Sequence, residues 1–280
     1  MKVAYVTTDD PVSREDDERE TALAAWLGAG IEGSPVNWHD PAVDWSEFDA
    51  VVVRSAWDYI ERRDEFVAWA HRVERVTRLF NPAQVLEWNT DKTYLRTLGV
   101  PIVPTFWPEP GAEPPEWELP GWEEYVVKPA VSAGARDTVR TASRDDAAAH
   151  AAGLLAEGRT AMVQPYLPSV ELEGELSLLY FGGRFSHAVR RHPMLSGAPA
   201  TAENRATLRD PDDDQFALAE RVLAAVPPDL LYARVDLVRM PDGEPVLMEA
   251  ELTEPYLFLR DELAAPDLFA EVLAETLKAG

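Results

Sequence analysis

The chain has no cysteine at all among its 280 residues. Without cysteine it can form no disulfide bond, no zinc site of the cysteine type and no thiolate nucleophile. Any chemistry it performs must therefore depend on other side chains or on a cofactor.

Basic residues are also scarce. Lys plus Arg number 26 against 50 Asp plus Glu, which gives a formal net charge of −24 and a pI of about 4.5. This balance argues against a protein whose main task is to grip a nucleic-acid backbone or an anionic membrane surface. A small anionic ligand in a locally basic pocket is still compatible with it.

Long apolar runs are missing as well. No stretch approaches the ~18 residues of a membrane span, and the apolar alternation in MKVAYVTT is too short for the core of a signal peptide. Hydrophobic residues make up 46% of the chain, which is ordinary for a folded protein. We therefore predict a folded cytoplasmic protein with no membrane partner.

The order of the predicted elements divides the chain into three parts. The pattern β-α-β-β-α at the start is typical of an open α/β sheet with parallel strands. From Asn81 onward the patterns indicate an α+β arrangement, mostly antiparallel, with a Pro-rich surface connection over 109–121. The predicted class is thus α/β, with α+β in the C-terminal two thirds, and the predicted domains are 1–88, 89–164 and 165–280.

Two strand patterns near the C-terminus, YARVDLVR and PVLMEAEL, carry the strongest signal. Arg234 and Asp236 share one face of the first, and Glu249 and Glu251 share one face of the second. The Asp-Gly pair at 242–243 predicts a two-residue turn, which would place Asp236 opposite Glu249 and Arg234 opposite Glu251. Facing carboxylates destabilise a hairpin unless a cation such as Mg²⁺ binds between them. The alternative is a solvent-exposed face with one Arg–Glu ion pair.

Two lysines are candidates for phosphate contacts. Lys128 ends the apolar strand YVVK and precedes a loop of small residues that includes Ser132 and Gly134. Such a loop lets backbone N–H groups approach a phosphate, and the lysine supplies the charge. Lys92 lies in the first turn of a predicted helix, where its charge opposes the helix dipole. The alternative for each is a plain structural or surface lysine, and the chain has no P-loop or Rossmann glycine motif.

A third group of candidates follows the predicted strand that ends at Arg54. Arg54 is followed closely by Trp57, Asp58 and Tyr59. Because ligands of open α/β sheets bind at the carboxyl ends of the strands, we expect this group on the substrate side of a site. A buried structural tryptophan is the alternative.

Taken in order, these residues resemble an ATP-grasp ligase. Lys92, Lys128 with its loop, the segment VQPYL, Glu175 and the two carboxylate-bearing strands follow one another as in that superfamily. The resemblance extends from about Lys2 to Leu277. The segments VVVRSAWDY, RLFNPAQVLEWNTDKTYL, EGELSLLYFGGRFSHAVRR and LMEAELTEP resemble the branch that contains the cycloserine-forming O-ureidoserine cyclo-ligase.

The resemblance implies an ATP-grasp fold with an N-terminal pre-ATP-grasp domain. ATP would lie between the second and third parts, with Mg²⁺ or alternatively Mn²⁺. Lys128 and Arg234 would be catalytic, and Asp236, Glu249 and Glu251 would hold the metal. The other implied contacts are Lys92, Ser132 and Gly134 at the phosphates, Gln164, Pro165, Tyr166 and Leu167 at the adenine, Glu175 or Glu171 at the ribose, and Arg190 with Arg54, Trp57, Asp58 and Tyr59 at the substrate.

The implied reaction activates the carboxylate of a small amino-acid-like substrate as an acyl phosphate. A nitrogen of the same molecule or of a second one then displaces the phosphate, and no covalent enzyme nucleophile is needed. A dipeptide or α-glutamyl-type ligase is an alternative, and a nucleotide-binding protein without catalysis is another. The sequence leaves open whether the protein is a monomer or a homodimer.

Two features depart from the family pattern, one at the implied metal site and one near the implied substrate. Glu251 stands where many family members have Asn, which adds negative charge to the implied metal site. The stretch 194–209 lacks the Phe-Arg-Val-Gln-like motif that this branch would be expected to carry after the strand pair. The identity of the substrate is therefore the least determined part of the interpretation.

Overall fold

The computed structural model describes residues 1–11, 16–108, 118–192, 195 and 206–279. Within these ranges the chain forms three sheets. Most of the loop 194–211 and of the Pro-rich connection 109–121 lies outside the described residues. No helix in the described part of the chain is long and apolar enough to cross a membrane.

The first sheet has four parallel strands in the order β2-β1-β3-β4, which confirms the predicted open α/β arrangement. Strand β3, AVVVRS, is buried along its whole length, as expected for a parallel strand covered on both faces. The strands are β1 Lys2–Thr7, β2 Glu32–Asn37, β3 Ala50–Ser55 and β4 Arg78–Phe80, and the helices are α1 Arg19–Gly28, α2 Arg63–Glu74 and α3 Ala83–Asn89.

The second sheet has three antiparallel strands in the order β6-β5-β7, with one helix packed on it. Alanine and leucine side chains of that helix pack against Tyr125 and Val127 in a small core. The helix predicted to begin around Lys92 is present only as a short 3-10 helix, Lys92–Arg96. The elements are β5 Tyr125–Pro129, β6 Val139–Thr141, α4 Arg144–Ala156 and β7 Ala161–Pro165.

The third sheet has five antiparallel strands in the order β10-β9-β8-β11-β12. Ala233, Val235 and Leu237 of β11 belong to the core beneath it, so their neighbours Arg234 and Asp236 face the opposite side. The elements are α5 Ser169–Leu172, β8 Glu175–Phe181, β9 Arg184–Arg191, β10 Ala206–Leu208, α6 Asp213–Ala225, β11 Tyr232–Arg239, β12 Pro245–Glu251 and α7 Ala265–Ala279.

The β11-β12 hairpin has the predicted register at the carboxylates but not the predicted turn. Asp236 pairs with Glu249, whereas Leu237 pairs with Leu247, so Met248 is an extra residue in a β-bulge. At the other end, Met240 and Glu244 flank a three-residue loop in which Gly243 has a φ of 90°, a value that glycine adopts without strain. The two-residue turn was wrong, and the bulge offsets the extra loop residue before the carboxylates are reached.

Buried polar side chains fasten the first sheet to the C-terminal strands. The Asn81 amide donates to the carbonyl oxygens of Tyr232 (3.0 Å) and Leu252 (2.7 Å) and accepts from the Leu231 N–H at 2.7 Å. The buried Glu18 carboxylate accepts the N–H groups of Leu257 and Leu259, at 2.8 and 2.6 Å. These bonds hold the carboxyl end of β4 and the start of α1 against the start of β11 and the segment that follows β12.

Candidate active site

A cavity of about 540 Å³ opens where the three sheets meet. Its lining comes from the segment after β3, from β5 and its following loop, from the end of β7, and from the exposed face of the β8-β9-β11-β12 strands. The structure brings together many of the predicted site residues in this lining: Trp57, Tyr59, Lys92, Lys128, Ser132, Gly134, Gln164, Pro165, Tyr166, Leu167, Glu175, Arg234, Glu249 and Glu251.

Two members of the Arg54–Tyr59 group lie elsewhere. The buried Arg54 guanidinium donates to the Pro255 carbonyl oxygen at 2.6 Å and lies 3.8 Å from Glu18, so it holds the chain together behind the cavity wall. Asp58 accepts from the Trp38 indole at 2.8 Å and from Arg62 at 2.7 Å. Both are buried because parallel strand β3 and the turn after it are covered on each side.

Arg191, and not the predicted Arg190, faces the cavity. Arg190 donates to the backbone oxygens of Leu172 and Glu173 on the other side of the sheet. Arg191 lines the cavity and pairs with Glu175 and, at 2.9 Å, with Asp236. Successive residues of a strand point to opposite faces, so a displacement of one residue reverses the assignment.

The two acids predicted as alternatives at the ribose are clearly separated. Glu175, the first residue of β8, lines the cavity. The Glu171 carboxylate accepts from Arg140 at 2.7 Å and from the Tyr166 hydroxyl at 2.9 Å, outside the lining. The Arg140 guanidinium in turn lies 3.4 Å from the centre of the Tyr166 ring, which fixes that ring at the cavity mouth.

Asp236 is not an open carboxylate. Its side chain is 1% exposed, it forms two bonds of 2.9 Å with Arg234 and one of 2.9 Å with Arg191, and it accepts from the Ser177 hydroxyl at 2.6 Å. Burial alone would raise the pKa of Asp236, but the two guanidinium groups and the hydroxyl bring it below its ordinary value. The predicted repulsion across the hairpin is thus relieved by arginine, before any metal is considered.

The two glutamates of β12 reach further into the cavity. Glu249 pairs with the Lys92 ammonium at 3.1 Å, and Glu251 accepts from Arg234. The Lys92 ammonium also donates to the Ser132 backbone oxygen at 2.6 Å. Burial raises the pKa of Glu251 to about 7, with further increases from Glu249 and Asp236 and a decrease from Arg234.

Among the described residues, no group of three His, Cys, Asp or Glu side chains is arranged to hold a metal ion. The oxygens of Glu249 and Glu251 nevertheless fit Mg²⁺, which commonly takes one or two carboxylates and completes its shell with water and phosphate oxygens. Their side chains are 22% and 27% exposed to the cavity, whereas Asp236 could become a ligand only by releasing an arginine.

Lys128 carries the free positive charge of the cavity. Among the residues that the structure describes, none bonds to its ammonium or forms an ion pair with it, although the side chain lines the cavity. Burial lowers the pKa of Lys128; nearby Glu249 opposes this decrease, and Lys92 adds to it. An unpaired, half-buried ammonium group is complementary to an anion such as a phosphate.

The loop after β5 closes over the same end of the cavity. Gly134 and Ala135 both have left-handed backbone, with φ of 61° and 56°, and such turns direct backbone N–H groups towards one point. Arg136 of this loop pairs with Glu61, which lies in the segment after β3. Val103, Leu167 and Met248 of the lining belong to one apolar cluster, whereas the Lys92 ammonium bonds to Ser132 of the loop, so the cavity has an apolar end and a charged end.

Comparison with solved structures defines the class of protein. A RimK domain ATP-grasp protein of Sphaerobacter thermophilus DSM 20745 superposes with a TM-score of 0.67 at 18% identity, over 97% of this chain and 99% of that one. The ATP-grasp fold expected from the sequence is thereby confirmed.

Closer relatives define the family. A crystal structure of D-cycloserine synthetase DcsG matches with a TM-score of 0.87 at 36% identity, over 99% of this chain and all of that one. The cycloserine biosynthesis protein DcsG of Streptomyces lavendulae is 38% identical over 300 residues, covering 99% of this chain and 100% of the relative. A profile described as "D-cycloserine synthetase DcsG, N-terminal domain" matches residues 3–81. The chain belongs to the D-cycloserine synthetase family, and it is an ATP-dependent ligase that forms C–N bonds.

Proposed function

We propose that this enzyme converts the carboxylate of an amino-acid substrate to an acyl phosphate, which a nitrogen of the same molecule captures to close a ring, as in cycloserine formation. The observation that carries the proposal is the unpaired Lys128 ammonium in a cavity that also holds Lys92, Arg234 and Glu249. The full-length similarity to the cycloserine biosynthesis protein supports the choice of substrate.

The side chains at the apolar end of the cavity suit the adenine of ATP, and those at the charged end suit its phosphates. Val103, Leu167 and Met248 offer an apolar slot for adenine beside the backbone of 164–167, and Glu175 is available to the ribose hydroxyls. At the charged end, Lys92, Lys128 and the backbone of the loop around Gly134 would bind the phosphates. We propose the segments 1–88, 89–164 and 165–280 as the units between which this cavity forms.

Charge neutralisation is the chemical contribution of the chain. Phosphoryl transfer requires mainly alignment of the reactants and stabilisation of charge on the transferred group. Lys128 and Arg234 would supply positive charge there, and Asp236, Arg191 and Ser177 would hold Arg234 in place. Glu249 and Glu251 would hold Mg²⁺, which when bound neutralises phosphate charge.

The substrate would lie against Trp57 and Tyr59, on the side of the cavity formed by the first sheet. The Trp57 indole donates to the backbone oxygen of Glu254 at 3.1 Å, so this wall is fastened to the segment after β12. Arg54 supports this wall from behind. Arg54, Asp58 and Arg190 do not line the cavity, so we do not assign them to the substrate.

Glu251→Asn is expected to keep substantial activity and to change mainly the Mg²⁺ concentration that turnover requires. Asparagine retains one oxygen for the metal and for Arg234, but it removes a negative charge from the site. Mg²⁺ binding measured by calorimetry, together with the Mg²⁺ dependence of ADP release, checks this. A loss of thermal stability with unchanged metal dependence would mean that Glu251 serves only its ion pair with Arg234.

The proposed reaction is tested by ADP release in the presence of O-ureidoserine and of a panel of single and paired amino acids, with products identified by mass. A ring-closed monomer supports the proposal. A coupled pair would instead identify a dipeptide or α-glutamyl-type ligase. ADP release that is independent of every added carboxylate would contradict both.

A further inference from the structure

Charged side chains in the cavity lining are mostly paired with one another, and the exceptions are informative. Lys128 is the exception among the cations. Among the lining carboxylates of the described residues, Glu254 is the exception, since no Lys, Arg or His nitrogen lies within ion-pairing distance of it. The three paired carboxylates are Glu175 with Arg191, Glu249 with Lys92 and Glu251 with Arg234.

Glu254 is a buried residue, only 8% exposed, yet it lines the cavity. The Tyr59 hydroxyl lies beside its carboxylate and lowers the pKa of Glu254, and the acceptor positions of the carboxylate are left to the cavity. Glu18 provides a contrast, because that buried carboxylate lies outside the cavity and has Arg54 and two backbone N–H groups as partners.

An unpaired carboxylate in this position is costly for the protein alone. Burying a charge without a partner is unfavourable, and two further glutamates lie close by. Burial raises the pKa of Glu254 to about 8, with additional increases from Glu251 and Glu249 and a decrease from Lys92. A ligand that brings a positive charge and N–H donors would remove this cost.

The surroundings favour an ammonium group as that ligand. The aromatic side chains of Trp57 and Tyr59 border the same part of the cavity, and aromatic rings attract cations. Because Lys128 is assigned to the phosphates of ATP, Glu254 is the unpaired charged side chain of the described lining that is left for the substrate.

We propose that Glu254, beside Tyr59 in the cavity lining, binds the ammonium group of the amino-acid substrate and thereby makes a free α-amino group a requirement for efficient turnover. This inference rests on the proposed function, because it assigns one group of the proposed substrate to one side chain. Glu254 is a binding residue in this assignment and takes no part in a covalent step.

The test compares two compounds in two proteins. O-ureidoserine and 3-(ureidooxy)propanoic acid share the carboxylate and the ureido nitrogen, but only the first has an α-amino group. For the wild type, we expect kcat/KM from ADP release to be about a hundredfold higher with the amino compound, the size typical of a desolvated charge pair. Glu254→Gln should lose most of this preference by slowing the amino compound alone, with KM for ATP unchanged.

Two further variants separate recognition from structure. Tyr59→Phe, which leaves the carboxylate but removes the hydroxyl beside it, should give an intermediate preference. Glu271→Gln changes an exposed glutamate on α7 and should behave as the wild type does. If Glu254→Gln slowed both compounds equally or weakened ATP binding, Glu254 would have a structural role and the inference would be overturned.

Calorimetric binding of the two compounds without ATP distinguishes this inference from the proposed reaction. Selective binding of the amino compound, lost in Glu254→Gln, supports the inference even if no ADP is released, in which case the proposed reaction fails. Equal binding of both compounds by the wild type overturns the inference while leaving the reaction intact. Binding of neither compound overturns both.

Discussion

Lys128→Met is expected to lower turnover at least a hundredfold, which corresponds to about 3 kcal/mol of activation free energy. Lys128 is the cation of the cavity that no described residue pairs with, so its charge is available to the phosphate during transfer. Methionine fills a similar volume without the charge. Rates of ADP release at saturating substrate measure the effect.

The same substitution should leave the fold intact or slightly stabilise it. A half-buried ammonium without a partner loses part of its hydration, which opposes folding, and its removal leaves no carboxylate unpaired. The thermal midpoint of Lys128→Met should therefore equal or exceed that of the wild type. Lys278→Met, at an exposed lysine near the end of α7, is the matched control and should change neither quantity. Near-normal turnover in a folded Lys128→Met protein would exclude the phosphate assignment.

Asp236→Asn is expected to reduce the free energy of unfolding by about 3–5 kcal/mol, the range observed when one partner of a buried ion pair is removed. The Asp236 carboxylate pairs with both Arg234 and Arg191 and is almost fully buried. An asparagine amide can accept from one guanidinium but turns N–H donors towards the other. We also expect turnover to be lost, because Arg234 would no longer be held in place.

Urea unfolding of the metal-free protein checks the stability part of this prediction. Asp242→Asn makes the same chemical change at an exposed position of the same hairpin and serves as the control. Because the pKa of Asp236 is lowered in the folded state, its contribution is present above the ordinary pKa of aspartate and is lost as the pH falls below it. The difference between wild type and Asp236→Asn should therefore shrink in acid. An equal or higher stability of the variant at neutral pH would contradict the arginine pairing.

The sign of that stability effect could not be predicted from the hairpin alone. The strand patterns placed Asp236 opposite Glu249, and the structure has this pair. Considered as two strands, the arrangement shows facing carboxylates and predicts repulsion. The neutralising Arg191 comes from β9, and Ser177 from β8, so only the order of strands in the sheet reveals the pairing.

Site residues that are marked by the sequence immediately around them were the easiest to assign to the cavity. Lys128 could be predicted at a cavity because an apolar strand ends there and a loop of small residues follows. Arg190 was predicted at the substrate, but the structure places Arg191 there. Where two arginines adjoin at the end of a strand, the sequence does not show which of them faces the cavity. Arg54 follows three valines at a strand end, and whether such a charge faces a ligand or a buried glutamate depends on contacts with residues 200 positions away, such as Pro255.

The sequence gives a still weaker indication that Glu254 belongs to the site. It lies in LMEAELTEP, just beyond the strand pattern that selected Glu249 and Glu251, and its alternation breaks at the end of β12. The feature that distinguishes it is the absence of an ion-pair partner among the described residues, which can be seen only when the cavity is assembled.

The bonds that fasten the first sheet to the C-terminal strands have a consequence for how the chain folds. Asn81 lies 171 residues before its partner Leu252 in the sequence, and Glu18 lies 239 and 241 residues before its partners Leu257 and Leu259. Contacts of such long sequence separation form slowly. We therefore expect the first sheet and the C-terminal strands to join late in folding, and the cavity between them to form only then.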